Sequence, residues 1–355
     1  MSQFQEPVDM FDCCYRGVKD KESSDNVTAR RTFLMRGTGS QPSIGQLTAA
    51  RVEQAAAQEE SEEKFQRPYV IRAMRPEELE EAYKIRLQTN YVFSKNTIHT
   101  SWKMQPDSFL VAVSDDGQVY GTISMVTYST DVVFLGLLVV REELRNRHIG
   151  TELLRAGLEK AGKKNKFMRC ILSLEPLFNR MNLFMSRSPV LLGRNEPVKV
   201  DALKLLVGDV SGMVVKPFEE AVWDRLRKYD ADIMTVDRSQ LLRAFINEEG
   251  TTTEVAVRED GSVAGYSVVQ LMTDGSWYFY VLAADTPDVA RLLISNFVRG
   301  CPTANDVGVV LVSPLWPSEE ESFVVRSLGW NIIKRSVCRF SDYELKFDYS
   351  KIYSM

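Results

Sequence analysis

At 355 residues the chain is longer than one hydrophobic core usually organises, and its length alone predicts two domains. An apolar fraction of 44% beside a charged fraction of 26% belongs to an ordinary globular protein, not a fibrous or disordered one. The net charge of −4 argues against a generic nucleic-acid or anionic-membrane binder, and no run approaches the ~20 apolar residues that span a bilayer.

Residues 1–66 read as a disordered tail. Polar runs such as Lys19 to Asp25 and the acidic stretch Glu59-Glu60-Ser61-Glu62-Glu63 leave too few large apolar side chains to bury a face. Met1 to Met10 carries Glu6 and Asp9 and lacks the apolar centre of a secretory leader, so a cytoplasmic protein is expected. The five cysteines, Cys13, Cys14, Cys170, Cys301 and Cys338, are odd in number and without framework spacing, which fits reduced thiols. With only His99 and His148 for imidazole ligands, no metal site is expected.

Order begins near Arg67-Pro68. Tyr69 to Arg72 reads as a short strand, and Pro76 followed by Glu77-Glu78 opens a helix to about Gln88. A long unpatterned link precedes the strand Phe109 to Val113, the turn Asp115-Asp116-Gly117 and the partner strand Val119 to Tyr128. Val132 to Val140 is almost continuously apolar, as a strand covered on both faces should be. Leu154, Leu158 and Ala161, with Leu153 beside them, give the apolar stripe of a helix from Thr151 to about Lys163. Phe167 to Leu174 reads as a further strand.

The same order then returns weakly. Val214-Val215 opens a strand, Glu219 to Tyr229 and Ser239 to Asn247 read as helices, and Glu254 to Arg258 with Val263 to Leu271 as a hairpin. Trp277 to Ala283, the helix Pro287 to Arg299, Val307 to Val312, the helix Glu319 to Leu328 and Trp330 to Phe340 complete it. Two copies of one βααβββαβαβ order predict an α/β chain with domains at 67–200 and 213–350, joined by a linker at 201–212.

The informative junction lies between the strand at 132–140 and the helix at 151–163. A strand that feeds straight into a helix points several backbone N–H groups at one spot, and the helix dipole adds to them: an anion site suited to phosphates. Gly150 allows close backbone approach there, while Arg145 and Arg147 bring charge to the loop. The plain reading of the same residues is a strand–helix connection with solvated arginines.

Val140 to Leu154 (VREELRNRHIGTELL) resembles the acetyl-CoA-binding segment of the GNAT acyltransferase superfamily, with Arg145 and Gly150 at its first and last marked positions and His148 at the usual middle glycine. The resemblance extends over roughly 68–345 to the tandem-GNAT type, in which a second, degenerate domain follows a cofactor-binding one. Phe109 to Ala112, Gly121 to Ser124 and Phe134 to Leu137 carry it in the first copy; Tyr229-Asp230, Asp237-Arg238, Leu242 to Ala244, Val281 to Leu293 and Leu328 to Trp330 carry it in the second. It implies two mixed, mostly antiparallel sheets flanked by helices, each with a splayed parallel strand pair. It also implies acetyl-CoA as cosubstrate, held by Leu138, Val139, Val140, Arg145, Asn146, Arg147, His148, Ile149, Gly150 and Thr151.

In the second copy the corresponding loop is Ala284-Asp285-Thr286-Pro287-Asp288. It has no arginine or glycine, Pro287 lacks an N–H, and two aspartates would repel a diphosphate. Only the first copy is therefore expected to bind CoA. The resemblance further implies direct acyl transfer to a small-molecule amine by a monomer or homodimer, with Glu175 the best-placed candidate base. The tyrosine that usually protonates the departing thiolate is replaced by Phe178, or by Asn179 in another register. A CoA-binding pseudoenzyme acting as sensor or scaffold is accordingly the alternative.

Overall fold

Strand β1 (Tyr69–Ala73) pairs antiparallel with β2 (Phe109–Ser114), which pairs with β3 (Val119–Ser129), which in turn pairs with β4 (Val132–Val140). This computed structural model describes residues 68–355 apart from 90–92, 95, 173–174, 176–177, 180–183, 185, 202–204 and 206–207. The expected tail at 1–66 lies outside the described residues, as does much of the segment at 201–212.

Between β1 and β2 stand helices α1 (Leu79–Leu87) and α2 (Thr97–Met104); the second falls in the stretch that shows no pattern in the sequence. Helix α3 (Ile149–Ala161) and strands β5 (Asn165–Ile171) and β6 (Ser186–Asn195) follow. The remaining elements are β7 (Met213–Pro217), α4 (Trp223–Met234), α5 (Ser239–Ile246), β8 (Thr251–Arg258), β9 (Val263–Leu271), β10 (Trp277–Ala284), α6 (Pro287–Gly300), α7 (Pro302–Val307), β11 (Val309–Pro314), β12 (Ile332–Phe340) and β13 (Ile352–Ser354). The helix expected over Glu319 to Leu328 is a single wide turn at Phe323–Ser327.

These strands form one mixed sheet in the order β1-β2-β3-β4-β5-β12-β6-β11-β10-β9-β8-β7, with β13 branching onto β10. The two expected sheets are thus continuous, and they interlock. β12, from the second half of the chain, pairs with β5, while β6, from the first half, lies between β12 and β11.

Strand β6 has no expectation in the sequence because Pro189 and Gly193 read as breakers. The structure uses both. Pro189 falls where the register with β12 shifts between Arg339↔Arg187 and Val337↔Leu191, a bulge that needs no ladder N–H from it. At Gly193 any Cβ would stand 2.7 Å from Leu315 Cδ2 and 2.9 Å from Ile332 Cδ1, so a side chain there would have to push those two aside.

Apolar side chains fill both faces of the sheet. Ile149, Leu153 and Leu154 of α3 pack on Ile123, Met125, Leu135 and Cys170, while Ile85 and Ile98 of α1 and α2 cover Phe109, Val111 and Val139 on the other side. Gly157 brings α3 close: a Cβ there would meet Ile123 Cδ1 at 2.9 Å and Met125 Sδ at 3.2 Å. Gly157→Leu is therefore expected to overpack this face and cost ~1–3 kcal/mol, read as a lowered urea midpoint at unchanged slope.

A third core joins the halves. Tyr128, Phe167, Leu192 and Phe340 pack with Leu226, Phe245, Tyr266 and Val312. At its centre Arg238 and Asp230 form a buried ion pair at 2.8 Å, Tyr266 donates to the same carboxylate, and Arg238 donates to the Tyr128 hydroxyl at 3.0 Å.

A second polar seam ties α2 to α5. Ser94 donates to Glu248 Oε1 at 2.9 Å, Gln270 to the same oxygen at 3.2 Å, and Asn96 to the Glu249 carbonyl at 2.8 Å. Burial pushes the Glu248 carboxyl above the usual carboxylate range against the pull of its bonds to Thr100 and Ser94. A carboxyl whose folded value is raised holds its proton better in the folded state, so ionising it removes stability as pH climbs past the unfolded value. Ser94 and Gln270 both donate to Oε1, so a glutamine whose oxygen takes that place keeps both bonds. Glu248→Gln should raise the melting temperature at pH 7 and leave it unchanged at pH 4. An equal shift at both values would refute this.

Candidate functional site

Strands β4 and β5 run parallel but pair only over Val132↔Asn165, Val133↔Lys166 and Phe134↔Phe167. Beyond Phe134, β4 continues paired to β3 and β5 continues paired to β12, so the two part company in a wedge that widens toward the loop ahead of α3. The expected splay is present at this place.

The wedge has a shaped edge. Thr122 pairs with Val139 and Ser124 with Gly136, which leaves Leu137 and Leu138 together opposite Ile123. This is a β-bulge, and Leu137 takes φ 53 to make it. Thr122 Oγ1 donates to the Leu137 carbonyl at 2.9 Å and fixes the kink. A β-bulge re-aims backbone groups, here along the side of β4 that faces the wedge. No signal in the Leu137-Leu138 pair foretells it.

At the wide end, Val140 passes into a short turn at Glu142–Leu144 and then into α3. Asn146 and His148 both sit in the left-handed region, at φ 64 and 62. His148 is the residue immediately before the helix, so the position where glycine is usual keeps the glycine-like backbone in spite of the imidazole. Ile149, Gly150 and Thr151 are buried in the first turn, whose N–H groups have no acceptors within the helix itself. Arg145 is also buried, its Nε donating to the Val140 carbonyl at 3.3 Å. Its first role is thus to draw the loop back onto the end of β4, while the half-buried Arg147 lies closer to solvent. The fold brings Leu138, Val139 and Val140 along the wedge together with residues 145–151 at its mouth.

Glu175 stands differently. Its carboxylate accepts from Arg187 Nε at 2.6 Å and Arg187 Nη2 at 3.3 Å, with Arg339 Nη1 at 3.4 Å. Arg187 and Arg339 face each other directly across β6 and β12, and the acid relieves that like-charge pairing. The sequence hides this cluster because its members are separated by 12 and 164 positions. Phe178 is buried edge-on against Phe184, with ring centres 5.6 Å apart, and Asn179 is exposed. Cys170, in β5 beside the wedge, is buried, and that burial pushes its thiol up to about 12, which disfavours the thiolate. The run Lys163-Lys164 follows the far end of α3, a helix length of about 20 Å from Ile149, and lines a shallow pocket with Asp131, Asn165, Asp342 and Tyr343.

The second half repeats the wedge without leaving it open. β10 and β11 pair in parallel over Trp277↔Val309, Tyr278↔Val310 and Phe279↔Leu311, and then β13 enters, pairing with β10 at Leu282↔Ser354 and Ala283↔Ile352. At the head of α6 the helix cap is Thr286, not either neighbouring aspartate: its hydroxyl accepts from Val289 N at 3.3 Å. Asp285 is held by Arg258 and by Lys351 at 3.0 Å, and Asp288 by Arg291 and by the Gly208 N–H at 2.9 Å. Among the described residues no group of three or more His, Cys, Asp or Glu side chains could hold a metal ion, and no helix is long and apolar enough to cross a membrane.

Residues 71–183 match the acetyltransferase (GNAT) family, a span that contains the end of β1, all of β2 to β5 and the whole loop ahead of α3. No curated protein matches the chain. The solved structures that share the fold include the following three. A putative acetyltransferase from Pyrococcus horikoshii superposes with a TM-score of 0.62 at 18% identity, over 82% of this chain and 95% of its own. A tandem GNAT protein from the clavulanic acid biosynthesis pathway gives 0.55 at 15% identity, over 77% and 97%. Saccharomyces cerevisiae N-myristoyltransferase with bound myristoyl-CoA gives 0.57 at 10% identity, over 80% and 84%.

Proposed function

We propose that this chain, a GNAT-superfamily member through residues 71–183, is an acyl-CoA-dependent N-acyltransferase working in the cytoplasm on a small primary amine, with acetyl-CoA as the acyl donor. The observation that carries the reading is the wedge between β4 and β5, which runs from a bulged strand edge to the start of a 13-residue helix. Residues 67–200 form the acyl-CoA-binding unit, and residues 213–350 a degenerate partner.

When bound, acyl-CoA supplies an acyl group already activated as a thioester. Main-chain groups of Leu138, Val139 and Val140 extend the β4 ladder to the pantetheine arm in place of β5. Residues 145–151 receive the diphosphate: N–H groups of Asn146 to Thr151 point at it, the helix dipole favours it, and Arg145 and Arg147 add positive charge. A backbone N–H near the Leu137–Leu138 bulge polarises the acyl carbonyl. Glu175, tied to two arginines, steadies the segment after β5 and reaches the attacking amine through a water relay.

Calorimetric titration of acetyl-CoA into the full chain tests this. Micromolar affinity, about −8 kcal/mol, is expected, and Gly150→Glu should abolish it by placing a carboxylate where the diphosphate sits. No heat from the unaltered chain at concentrations that reveal a dissociation constant of ~100 μM would sink the reading. A second reading is favoured by the buried Phe178 and the occupied Glu175: a CoA-binding pseudoenzyme. Acetyl-CoA binding without release of free thiol across a panel of amines would select it.

A further inference from the structure

The second wedge is filled by the chain itself. Residues 351–355 run into the gap between β10 and β11 and bond to both sides of it. On one side the Ala284 N–H donates to the Lys351 carbonyl at 2.9 Å and Ser354 Oγ donates to the Phe279 carbonyl at 2.5 Å. On the other the Val312 N–H donates to Ser354 Oγ at 3.0 Å and the Met355 N–H to the Val312 carbonyl at 3.0 Å. One hydroxyl therefore bridges both splayed strands, and Ser354 is fully buried. Ile352 and Tyr353 are buried with it, Tyr353 edge-on to Phe323 at 4.6 Å, and Lys351 pairs with Asp285 at the mouth. The segment crosses to the first half as well: the Met355 carbonyl accepts from Arg169 of β5 at 2.7 Å and from Tyr278 at 2.9 Å.

We infer that residues 351–355 are a built-in occupant of the second wedge, taking with main-chain amides the place that a pantetheine arm takes in the first. The inference rests on the proposed acyl-CoA site for the meaning of that place. An extended polypeptide and a pantetheine arm share the needed chemistry, since both are narrow chains with amide donors and acceptors that complete the ladders of parted strands. The filled wedge then confines acyl-CoA to the first half, since the ladders of its parted strands are already completed. Through Met355 and Arg169 the same strap fixes part of the β5 wall opposite α3.

Hydrogen exchange on the full chain tests the strap without needing acyl-CoA. In the unaltered chain the amides of Ala284 and Val312 should exchange as slowly as those of β9. Removing residues 351–355 should speed both by on the order of 100-fold while β2 and β3 stay protected. Should that variant fail to fold, Ser354→Ala keeps the strand and removes the bridge, speeding Val312 about tenfold. Alongside, calorimetry should count one acetyl-CoA per chain, lost entirely in Gly150→Glu. Exchange of Ala284 and Val312 at the rate of the Asp274-Gly275 turn, or a second bound acetyl-CoA, overturns the inference. Failure of any acetyl-CoA to bind overturns the first-site reading instead, and exchange still decides whether the strap is seated.

Discussion

Asp230→Ala is expected to destabilise the chain by about 3–5 kcal/mol, the range found when one partner of a buried ion pair is removed. Arg238 is the reason. Its guanidinium is buried to 6% exposure and depends on Asp230 for its counter-charge, with the hydroxyls of Tyr128 and Tyr266 completing the shell. Burial opposes the charge of Arg238, but a guanidinium does not give up its proton in a folded protein, so without Asp230 it is left as an uncompensated buried cation. Tyr266→Phe leaves the pair intact and should cost ~1.5–3 kcal/mol, the loss of the hydroxyl's bonds to Asp230 and Arg238. Replacing both partners with apolar residues of similar volume, Asp230→Leu with Arg238→Met, should recover most of what the single change loses. Urea unfolding of the three variants decides the matter. A loss below about 1 kcal/mol for Asp230→Ala would mean that water reaches the pair and that the junction of the halves is looser than described.

A chain cut after residue 200 is expected not to fold, although it keeps the entire span that matches the GNAT family. Strand β6 pairs only with β11 and β12, both of which come from beyond residue 300, and β5 loses its neighbour on the side away from β4. The cut would strip three ladders and leave Phe167, Leu192 and Tyr128 without the side chains that cover them. Exposed apolar surface on that scale exceeds the whole stability margin of a domain, ~5–15 kcal/mol. The expected readouts are loss of the cooperative urea transition and no acetyl-CoA binding. Mixing in residues 201–355 expressed separately should restore both, because the missing strands are supplied whole. A cut chain that unfolds cooperatively by itself would show that β12 and β6 are additions to a sheet already complete.

These two results bear on how much can be read before folding. The run Val132 to Val140 is legible because a strand buried on both faces has no polar alternation to obscure it, and the structure bounds it at the same residues. Helix α3 is legible because Leu154, Leu158 and Ala161 recur along one face; its start is two residues earlier than the pattern suggests, since His148 at φ 62 is the true turning point. The wedge mouth follows from these two elements, which is why residues 138–140 and 145–151 fall together. What stays hidden depends on distant partners. The bulge at Leu137 is held by Thr122 from a neighbouring strand, the arginines that clasp Glu175 come from β6 and β12, and β13 is a three-residue strand recognisable only by what it fills. Strand β6 is hidden for the opposite reason: its own residues point away from a strand, and only Leu315 and Ile332 explain why Gly193 is there.

The continuity of the sheet leaves few places where it could recruit another chain. Twelve strands in one path have just two outer rims, β1 and β7, and each is five residues long. Sheets that end in long, flat, apolar strands invite edge-to-edge growth and eventually fibrils. Here Arg72 interrupts one rim, and Lys216 with Pro217, which has no N–H to lend, closes the other. Two ordinary sheets would have presented four such rims. Interlocking the halves removes two of them, so a wide β-rich protein gains resistance to aggregation from its topology as well as from its surface charge.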